Sequence, residues 1–356
     1  MVLLRKLVEA DGVSGHEDAV RELLIEAIAD RVDEYRIDAL GNLIAVKHAR
    51  GERGRPPRKV MVAAHMDEVG LMVTRVDRDG AVHFAPVGGI DPRVVLAKAV
   101  RIGDDRVPGV IAVKPIHLMT AADRERVLEF DSLTIDLGMG GDEASRKVKP
   151  GMVAAFATDF EVLDEGGLRT VKGKAFDDRA GCAVLVELLQ DDYPFDLYGA
   201  FTVQEEVGLR GARVAGYAVN PDVALVLEGT VCDDSPKDKD ISPTTRLGAG
   251  PAITVMDRSV ICDRRLVRLL VEAAEAEGIP YQYKQPGVGG TDAGAIHVQR
   301  EGSPSAVLAV PSRYIHSPVS VLSLNDLDNA VRVMRGALAK IPQEIFSPRL
   351  QGGLEA

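Results

Sequence analysis

The sequence predicts an α/β protein in which a mixed-sheet domain is interrupted by a small inserted all-β domain. Its 356 residues exceed the length of one ordinary domain. Beyond residue 173, strand-like and helix-like segments alternate, which is typical of an α/β sheet. Residues 70–164 contain short apolar runs separated by Gly, Pro and Asp turns, which indicates β structure. We therefore expect an α/β domain formed by residues 1–69 and 165–356, with residues 70–164 inserted in it.

The individual elements follow from the spacing of apolar residues. The segment Leu3–Val32 has helical spacing and is interrupted at Gly12–Gly15, so we predict two helices, the second starting at Ser14 or Gly15. Later helices are predicted at Ala180–Gln190 and Arg264–Glu277. Strands are predicted at Leu43–Val46, Lys59–Ala64, Leu71–Val76, Ala81–Val87, Val110–Val113, Met152–Ala157, Leu197–Val203 and Val223–Leu227.

Composition excludes several classes of function. Acidic residues outnumber basic residues by 54 to 43, and the resulting net charge of −11 opposes binding to nucleic acid. We find no apolar run long enough to span a membrane and no signal peptide, so we expect a soluble protein with no membrane partner. Three widely spaced cysteines, Cys182, Cys232 and Cys262, suit a reducing compartment and small buried positions. Together these features predict a cytoplasmic protein.

Side chains able to bind metal follow several of the predicted strands. His65 closes the strand Lys59–Ala64, and Asp67 is close enough to orient or polarise it. Considered alone, His65 is better explained as a polar cap on a strand end than as a metal ligand. The pair Asp177 and Asp178 precedes a helical run, where an acid can cap the helix or bridge two cations.

Further acids and a second histidine occupy similar positions. Glu205 and Glu206 follow the strand Leu197–Val203; one can bind metal while the other acts as a general base. Glu228 ends the strand-like run Val223–Leu227 and suits either a metal ligand or a salt bridge. His316 follows the apolar run Ala306–Val310. As a set, two histidines and several carboxylates predict a site for zinc, cobalt or manganese at one sheet edge.

The loop Gly287–Ala293 is rich in glycine but lacks the residues of a phosphate-binding loop and the spacing of a dinucleotide fingerprint. We interpret it as a flexible wall of the substrate pocket.

These motifs, in this order, resemble the M42 metallopeptidases, the tetrahedral aminopeptidases of archaea and bacteria whose members are often labelled endoglucanases. The resemblance covers almost the whole chain. It rests on the segments Ser14–Glu17, Ala64–Gly70, Lys174–Gly181, Gln204–Ala212, Gly289–Ala293 and Arg313–Ser317.

The resemblance implies a role for each site residue. His65 and Glu228 would share one metal, Glu206 and His316 the other, and Asp177 rather than Asp178 would bridge them. Glu205 would be the general base, and Asp67 would support His65. The position of Glu228 is often Asp in the better-known members. The family also implies that the inserted β-domain mediates homo-oligomerisation into a hollow dodecamer that admits only short peptides.

We therefore expect a two-metal aminopeptidase, dependent on zinc or cobalt, that uses a metal-activated water and Glu205 to release N-terminal residues. A metal-dependent deacylase or amidohydrolase of small N-acyl compounds is the main alternative, because it uses similar chemistry. Glycoside hydrolysis by two carboxylates would leave His65 and His316 without a role. A metal-stabilised binding protein would leave Glu205 idle.

Overall fold

The computed structural model describes residues 1–50, 58–234 and 244–346. The predicted C-terminal limit of the α/β domain, residue 356, lies outside them. Helices in the described residues are α1 (Val2–Glu9), α2 (Asp18–Ile28), α3 (Pro92–Val95), α4 (Ala121–Glu125), α5 (Gly141–Lys147), α6 (Phe176–Leu188), α7 (Arg210–Val219), α8 (Arg264–Ala276), α9 (Asp292–Ile296) and α10 (Leu324–Ala339). Strands are β1 (Glu34–Ile37), β2 (Leu43–Lys47), β3 (Lys59–His65), β4 (Gly70–Val76), β5 (Val82–Val87), β6 (Ala99–Ile102), β7 (Val107–Ile111), β8 (Thr134–Asp136), β9 (Val153–Phe156), β10 (Glu161–Val162), β11 (Thr170–Gly173), β12 (Asp196–Thr202), β13 (Val223–Cys232), β14 (Ala252–Thr254), β15 (Gln282–Tyr283), β16 (Ser305–Arg313) and β17 (Ser320–Ser323).

One large mixed sheet organises the α/β domain. Its strand order is β1-β2-β12-β3-β13-β16-β17-β11-β10, with β14 and β15 attached beside β16. The central strands β12, β3, β13 and β16 are parallel to one another, whereas the flanking strands β2 and β17 are antiparallel to their inner neighbours. The predicted mixed-sheet α/β class is therefore confirmed.

Helices bury the central strands from both faces. One group, α1, α2, α6 and α10, packs together and covers β3, β13 and β16, while α7 and α9 pack together against β12, β3 and β13. Accordingly, β3 and β13 are buried along almost their whole length and consist largely of apolar residues, as expected for parallel strands covered on both faces.

The inserted segment forms a closed six-stranded antiparallel barrel. Its strand order is β4-β5-β8-β7-β6-β9, and it has its own apolar core, separate from that of the α/β domain. The predicted separate β unit is therefore confirmed, although three short helices, α3, α4 and α5, accompany its strands. The strand β10 already pairs with β11 of the large sheet, so the chain returns to that sheet before residue 165. The division at residues 70 and 164 stays a prediction.

Several boundaries differ from the sequence prediction. The second helix begins at Asp18 rather than at Ser14 or Gly15, because Val13 forms a β-bridge with Glu68 and Gly15 has a positive φ of 87°. The strand predicted at Val110–Val113 is instead β7, which starts and ends earlier. Helical and extended periodicity are weak guides in such short, turn-rich segments.

Glu228 is the difference that matters most for function. It was predicted at the end of a strand, but β13 continues four residues beyond it. The extension pairs with β16 from Gly229 to Cys232. The carboxylate therefore lies within a buried strand, where it is 4% exposed and cannot turn into solvent.

No helix among the described residues is long and apolar enough to cross a membrane. The three cysteines are free and buried, as predicted. The cytoplasmic location stays a prediction.

Candidate metal centre and active site

The carboxyl ends of the central strands gather the candidate residues at one edge of the sheet. His65 is the last residue of β3, and Glu205 and Glu206 follow β12 directly. His316 follows β16 after a tight turn. Because β12, β3, β13 and β16 are parallel, these positions share an edge, which is where open α/β sheets place their ligands.

Asp177 lies between the two histidines. Its Oδ1 is 3.3 Å from Nε2 of His65, and its Oδ2 is 3.7 Å from Nε2 of His316. One carboxylate thus directs its two oxygens towards two different imidazoles.

Each histidine has a second acidic neighbour. Oε2 of Glu228 is 3.5 Å from Nε2 of His65, and Oε2 of Glu206 is 3.3 Å from Nε2 of His316. The arrangement therefore has two halves that share Asp177.

Glycine at position 229 permits this arrangement. Its backbone N–H donates a 3.2 Å hydrogen bond to Oδ1 of Asp177. A Cβ atom at this position would lie 2.7 Å from the Cβ of Asp177, which is closer than real Cβ contacts allow. Any larger residue would push Asp177 away from His65.

Asp67 connects the histidine to the paired glutamates. Its carboxylate accepts hydrogen bonds from the backbone N–H groups of Glu205 and Glu206, at 2.9 and 3.1 Å, and from the hydroxyl of Ser14, at 2.6 Å. Nδ1 of His65 faces Asp67, 3.1 Å from its carbonyl oxygen and 3.4 Å from Oδ1. Asp67 therefore holds the ring of His65 and the turn bearing both glutamates.

Asp178 has different partners from its neighbour Asp177. Its Oδ2 accepts from the backbone N–H of His65 at 3.3 Å, and its Oδ1 accepts from the backbone N–H of Gly181 at 2.9 Å. Asp178 is fully buried, and both of its oxygens already serve the backbone. This is the behaviour of an acid that caps the first turn of α6.

The barrel also contributes to the site. Nδ1 of His316 donates to the carbonyl oxygen of Gly89, which follows β5, at 3.0 Å. That contact leaves Nε2 directed at Asp177 and Glu206. His316 itself has a positive φ of 55°, and Gln204, which precedes the paired glutamates, has a positive φ of 56°. Such uncommon backbone conformations are concentrated at functional sites.

The clustered acids are hard to ionise together. Burial raises the pKa of Glu205 well above its usual range, and the negative charge of Glu228 adds to the effect. Burial also raises the pKa of Glu206 to about 8 and that of Asp292 to about 7. The pKa of Glu228 is raised by burial, while His65 and Lys284 oppose the rise.

The pKa values of the two histidines are also raised, which favours their charged forms. Burial disfavours their charged forms, but the acids around them outweigh it, so the pKa of His65 is well above its usual range and that of His316 is raised to about 9. Asp177 has a pKa below its usual range, because His316 and His65 outweigh its burial. Excess negative charge in a buried site is relieved by protons or by cations.

The donor set fits divalent cations. In the described residues, ligand atoms of Asp177, Glu206 and His316 lie within 4.8 Å of one another, as do those of His65, Asp178 and Glu228. Glu205 completes a third such group with His65 and Glu206. Imidazole and carboxylate donors suit zinc, cobalt and manganese.

One orphaned atom also points to a missing partner. Oδ1 of Asp292 is buried and has no hydrogen-bond partner among the residues that the structure describes, while its other oxygen accepts a hydrogen bond from the hydroxyl of Thr202. An unpaired carboxylate oxygen beside Glu228 is costly unless positive charge lies nearby.

A cavity of about 570 Å³ opens onto the site. The side chains of Glu205, Glu206 and Glu228 line it. Val288, Gly289 and Gly290 form part of its wall, so the glycine-rich loop borders the cavity as predicted, while its flexibility stays a prediction.

Sequence reasoning missed four contributors. Ser14 and Asp292 fell within segments already noted for their resemblance, but nothing local assigned them a contact. Gly89 and Lys284 carried no signal, because their approach to the site depends on how distant segments pack. All seven residues predicted for the site, in contrast, lie at this sheet edge.

Comparison with known proteins is consistent with this site. Residues 41–333 match the model of the M42 glutamyl aminopeptidase family. The chain is 40% identical to a putative aminopeptidase of Acetivibrio thermocellus, over 94% of this chain and 97% of that protein. It is 36% identical to the lysyl aminopeptidase of Pyrococcus furiosus, over 97% and 99% of the two chains.

Solved structures give the same result. A TET aminopeptidase from a marine-sediment Thaumarchaeota archaeon superposes with a TM-score of 0.90 at 36% identity, covering 97% of each chain. The TET1 peptidase of Pyrococcus horikoshii, described as assembling into a tetrahedron or a large octahedral shell, superposes with a TM-score of 0.83 at 35% identity, covering 96% of this chain and 99% of that one.

The fold and site are those of a metal-dependent peptidase, and the chain belongs to the M42 family of aminopeptidases. It is therefore a hydrolase acting on peptide bonds. Membership of this metallopeptidase family implies dependence on divalent metal.

Proposed function

We propose that this protein removes N-terminal residues from short peptides by using two divalent metal ions, zinc or cobalt. The observation that carries the proposal is the position of Asp177, whose two oxygens face two different histidines. A carboxylate in that position suits two cations about 3.5 to 4 Å apart.

The ligand assignment follows the two halves of the site. His65 and Glu228 would hold one ion, Glu206 and His316 would hold the other, and Asp177 would bridge them. We assign the bridge to Asp177 because both oxygens of Asp178 already accept backbone hydrogen bonds. When bound, the two ions would polarise the scissile carbonyl group and lower the pKa of a water molecule beside it.

Glu205 is proposed as the general base. It lines the cavity, and in the proposed set it is the glutamate left free of a ligand role. Burial raises its pKa, so its carboxylate readily accepts a proton from the attacking water. It then donates that proton to the nitrogen of the leaving amine.

Asp67 supports this chemistry without contacting substrate. It fixes the orientation of His65, and its hydrogen bonds to two successive backbone N–H groups fix where Glu205 and Glu206 point. An outer carboxylate behind a metal-binding imidazole is a recurrent arrangement that also raises the basicity of the ligand.

We further propose that the chain forms a homo-oligomer of the closed, dodecameric kind. The support is its similarity to a TET1 peptidase that assembles into a tetrahedron or an octahedral shell. Such an enclosure would limit substrates to short peptides. Light scattering that gave the 38.1 kDa mass of a single chain would contradict this part of the proposal.

The comparisons leave the preferred N-terminal residue open, since the matched family is named for glutamyl substrates and the relative from Pyrococcus furiosus for lysyl substrates. They favour peptide hydrolysis over glycoside hydrolysis. Deacylation of N-acyl compounds would use the same metals, so only the choice of substrate distinguishes a deacylase from an aminopeptidase.

A substrate panel tests the proposal. Chelator-treated protein, before and after addition of cobalt or zinc, would be offered unblocked aminoacyl anilides and peptides, the same peptides with N-acetyl groups, and a soluble cellulose. We expect metal-dependent release of N-terminal residues from the unblocked substrates alone. Hydrolysis restricted to the acetylated peptides, or release of sugar without metal, would overturn it.

A further inference from the structure

The chain leaves β12 through residues 203–206, which we call the glutamate turn because it carries Glu205 and Glu206. Each of the four backbone N–H groups of this turn donates a hydrogen bond to a side-chain oxygen of a distant segment. All the acceptors are buried and precede the inserted barrel in the sequence. They are, in the order of the N–H groups that they bind, Asn42, Glu17 and, for the last two groups, Asp67.

Glu17 holds the part of the glutamate turn that leads into Glu205. Its Oε1 accepts the backbone N–H of Gln204 at 3.1 Å and that of Gly15 at 2.7 Å, so one oxygen joins the start of α2 to the turn. Gln204 has a positive φ of 56°. In a residue other than glycine, such a conformation is unfavourable and persists only where the surrounding structure holds it. Glu17 supplies that support.

The segment Ser14–Glu17 therefore acts on a single turn through both of its buried polar side chains. The hydroxyl of Ser14 donates to Oδ2 of Asp67 at 2.6 Å, and the same oxygen accepts the N–H of Glu206. Glu17 accepts from the turn directly. This segment is one of those on which the resemblance to the M42 family rests, and its contacts give it a task beside the metal centre.

The backbone sets the position of the Glu205 carboxylate. Within the described residues, this carboxylate lines the cavity but takes part in no hydrogen bond or ion pair. Glu206 differs, because its carboxylate lies 3.3 Å from Nε2 of His316. A catalytic side chain without partners of its own depends on the groups that hold its backbone.

We propose that Glu17 is a positioning residue for Glu205: its carboxylate oxygen holds the backbone of Gln204 and thereby directs the general base into the cavity. The inference rests on the proposed role of Glu205 in the aminopeptidase reaction. In the part of the chain that the structure describes, Glu17 does not line the cavity, and its carboxylate accepts only from backbone N–H groups. It therefore acts on turnover rather than on metal binding or substrate affinity.

Replacement of Glu17 by Met removes the acceptor oxygen and fills a similar space. We expect kcat of the metal-loaded enzyme to fall by about 10- to 100-fold, the effect of displacing a catalytic group by about 1 Å. KM and the metal content are expected to stay unchanged. Steady-state kinetics on an unblocked aminoacyl anilide and elemental analysis measure these quantities.

Glu22→Met is the matched control, because Glu22 is an exposed glutamate of the same helix, α2. A kcat of Glu17→Met equal to that of the control would overturn the inference. So would a loss of kcat that is fully accounted for by loss of bound metal.

Combining Glu17→Met with Glu205→Gln separates positioning from a general structural role. If Glu17 acts through Glu205, Glu17→Met lowers the residual kcat of the Glu205→Gln enzyme by less than about threefold, because residues that act as a unit have non-additive effects. A general distortion of the site would instead lower kcat by the same factor in both backgrounds, and that result would overturn the inference.

Two conservative variants decide the question even if Glu17→Met fails to fold. Glu17→Gln keeps an acceptor oxygen at the same reach, whereas Glu17→Asp keeps the charge but withdraws the oxygen by one methylene group. We expect Glu17→Gln to retain most of kcat and Glu17→Asp to lose more of it. Equal values, or the reverse order, would show that the position of the oxygen does not matter and would overturn the inference.

Failure of the proposed function gives a different result. Full turnover by Glu205→Gln alone would refute the general base, and this inference with it. Absence of hydrolysis of every unblocked substrate by the unmodified, metal-loaded enzyme would refute the aminopeptidase reaction. Equal factors in the two backgrounds, in an enzyme whose turnover does require Glu205, would refute the role of Glu17 alone.

Discussion

Asp177 and Asp178 are adjacent in the sequence, yet their carboxylates have different partners. Asp177 faces His65 and His316. Asp178 instead accepts hydrogen bonds from two backbone N–H groups and caps the start of α6. The second acidic pair is divided differently. Glu205 and Glu206 both line the cavity, but it is Glu206 whose carboxylate lies 3.3 Å from Nε2 of His316. At the residue scale, function depends on which groups the carboxylate of each member of an acidic pair faces.

Replacement of Glu205 by Gln tests the general base. The amide keeps the shape of the side chain but cannot accept the proton, so we expect kcat to fall by about 10² to 10⁴-fold while the metal content is unchanged. Steady-state kinetics and elemental analysis measure the two quantities. Glu272→Gln, at an exposed position on α8, is the control. A Glu205→Gln enzyme with full turnover would remove Glu205 from this role.

The element scale explains how the turns at the site are held. Arg179 of α6 is fully buried and donates hydrogen bonds to the carbonyl oxygens of Leu7, Ala10 and Met66, and it lies 3.4 Å from the carboxylate of Glu68. Lys174 contacts the same carboxylate at 2.6 Å. These contacts fasten the end of α1 and the segment after β3 to the start of α6, which carries Asp177.

Replacement of Arg179 by Met tests this network. It leaves several carbonyl oxygens unpaired and removes one of the two cations beside Glu68, so we expect the free energy of unfolding to fall by about 3 to 5 kcal/mol. Denaturant unfolding of the metal-free protein measures the change. Arg268→Met, at an exposed position on α8, is the control. A loss no larger than that of the control would show that the network does not stabilise the fold.

The elements also show what the sequence could and could not predict. The long apolar runs of β3 and β12 could be predicted from the sequence. Because parallel strands end at the same edge of a sheet, the position of His65 and Glu206 at that edge could be predicted as well. The extension of β13 past Glu228 was not visible, because the apolar run ends at Leu227 and a glycine follows Glu228. Pairing with β16 continues the strand beyond that point. The positions of Lys284 and Gly89 depend on packing between distant segments, which no local pattern encodes.

At the scale of the whole molecule, the barrel and the α/β domain meet at the site. The carbonyl oxygen of Gly89, after β5 of the barrel, orients His316 of the α/β domain. Gly89 also borders the substrate cavity. An insertion proposed to mediate assembly therefore also contacts one half of the proposed metal centre. The position of the barrel and the orientation of His316 are coupled through this contact.

A metal titration tests the central claim most directly. Chelator-treated protein would be titrated with zinc or cobalt while bound metal and release of an unblocked N-terminal residue are measured together, for the unmodified chain and for His316→Ala. His117→Ala, at an exposed position in the inserted segment, is the control. We predict that activity requires two ions per chain and that His316→Ala alone binds fewer. Full activity in the chelated protein, or unchanged metal binding in His316→Ala, would contradict the account.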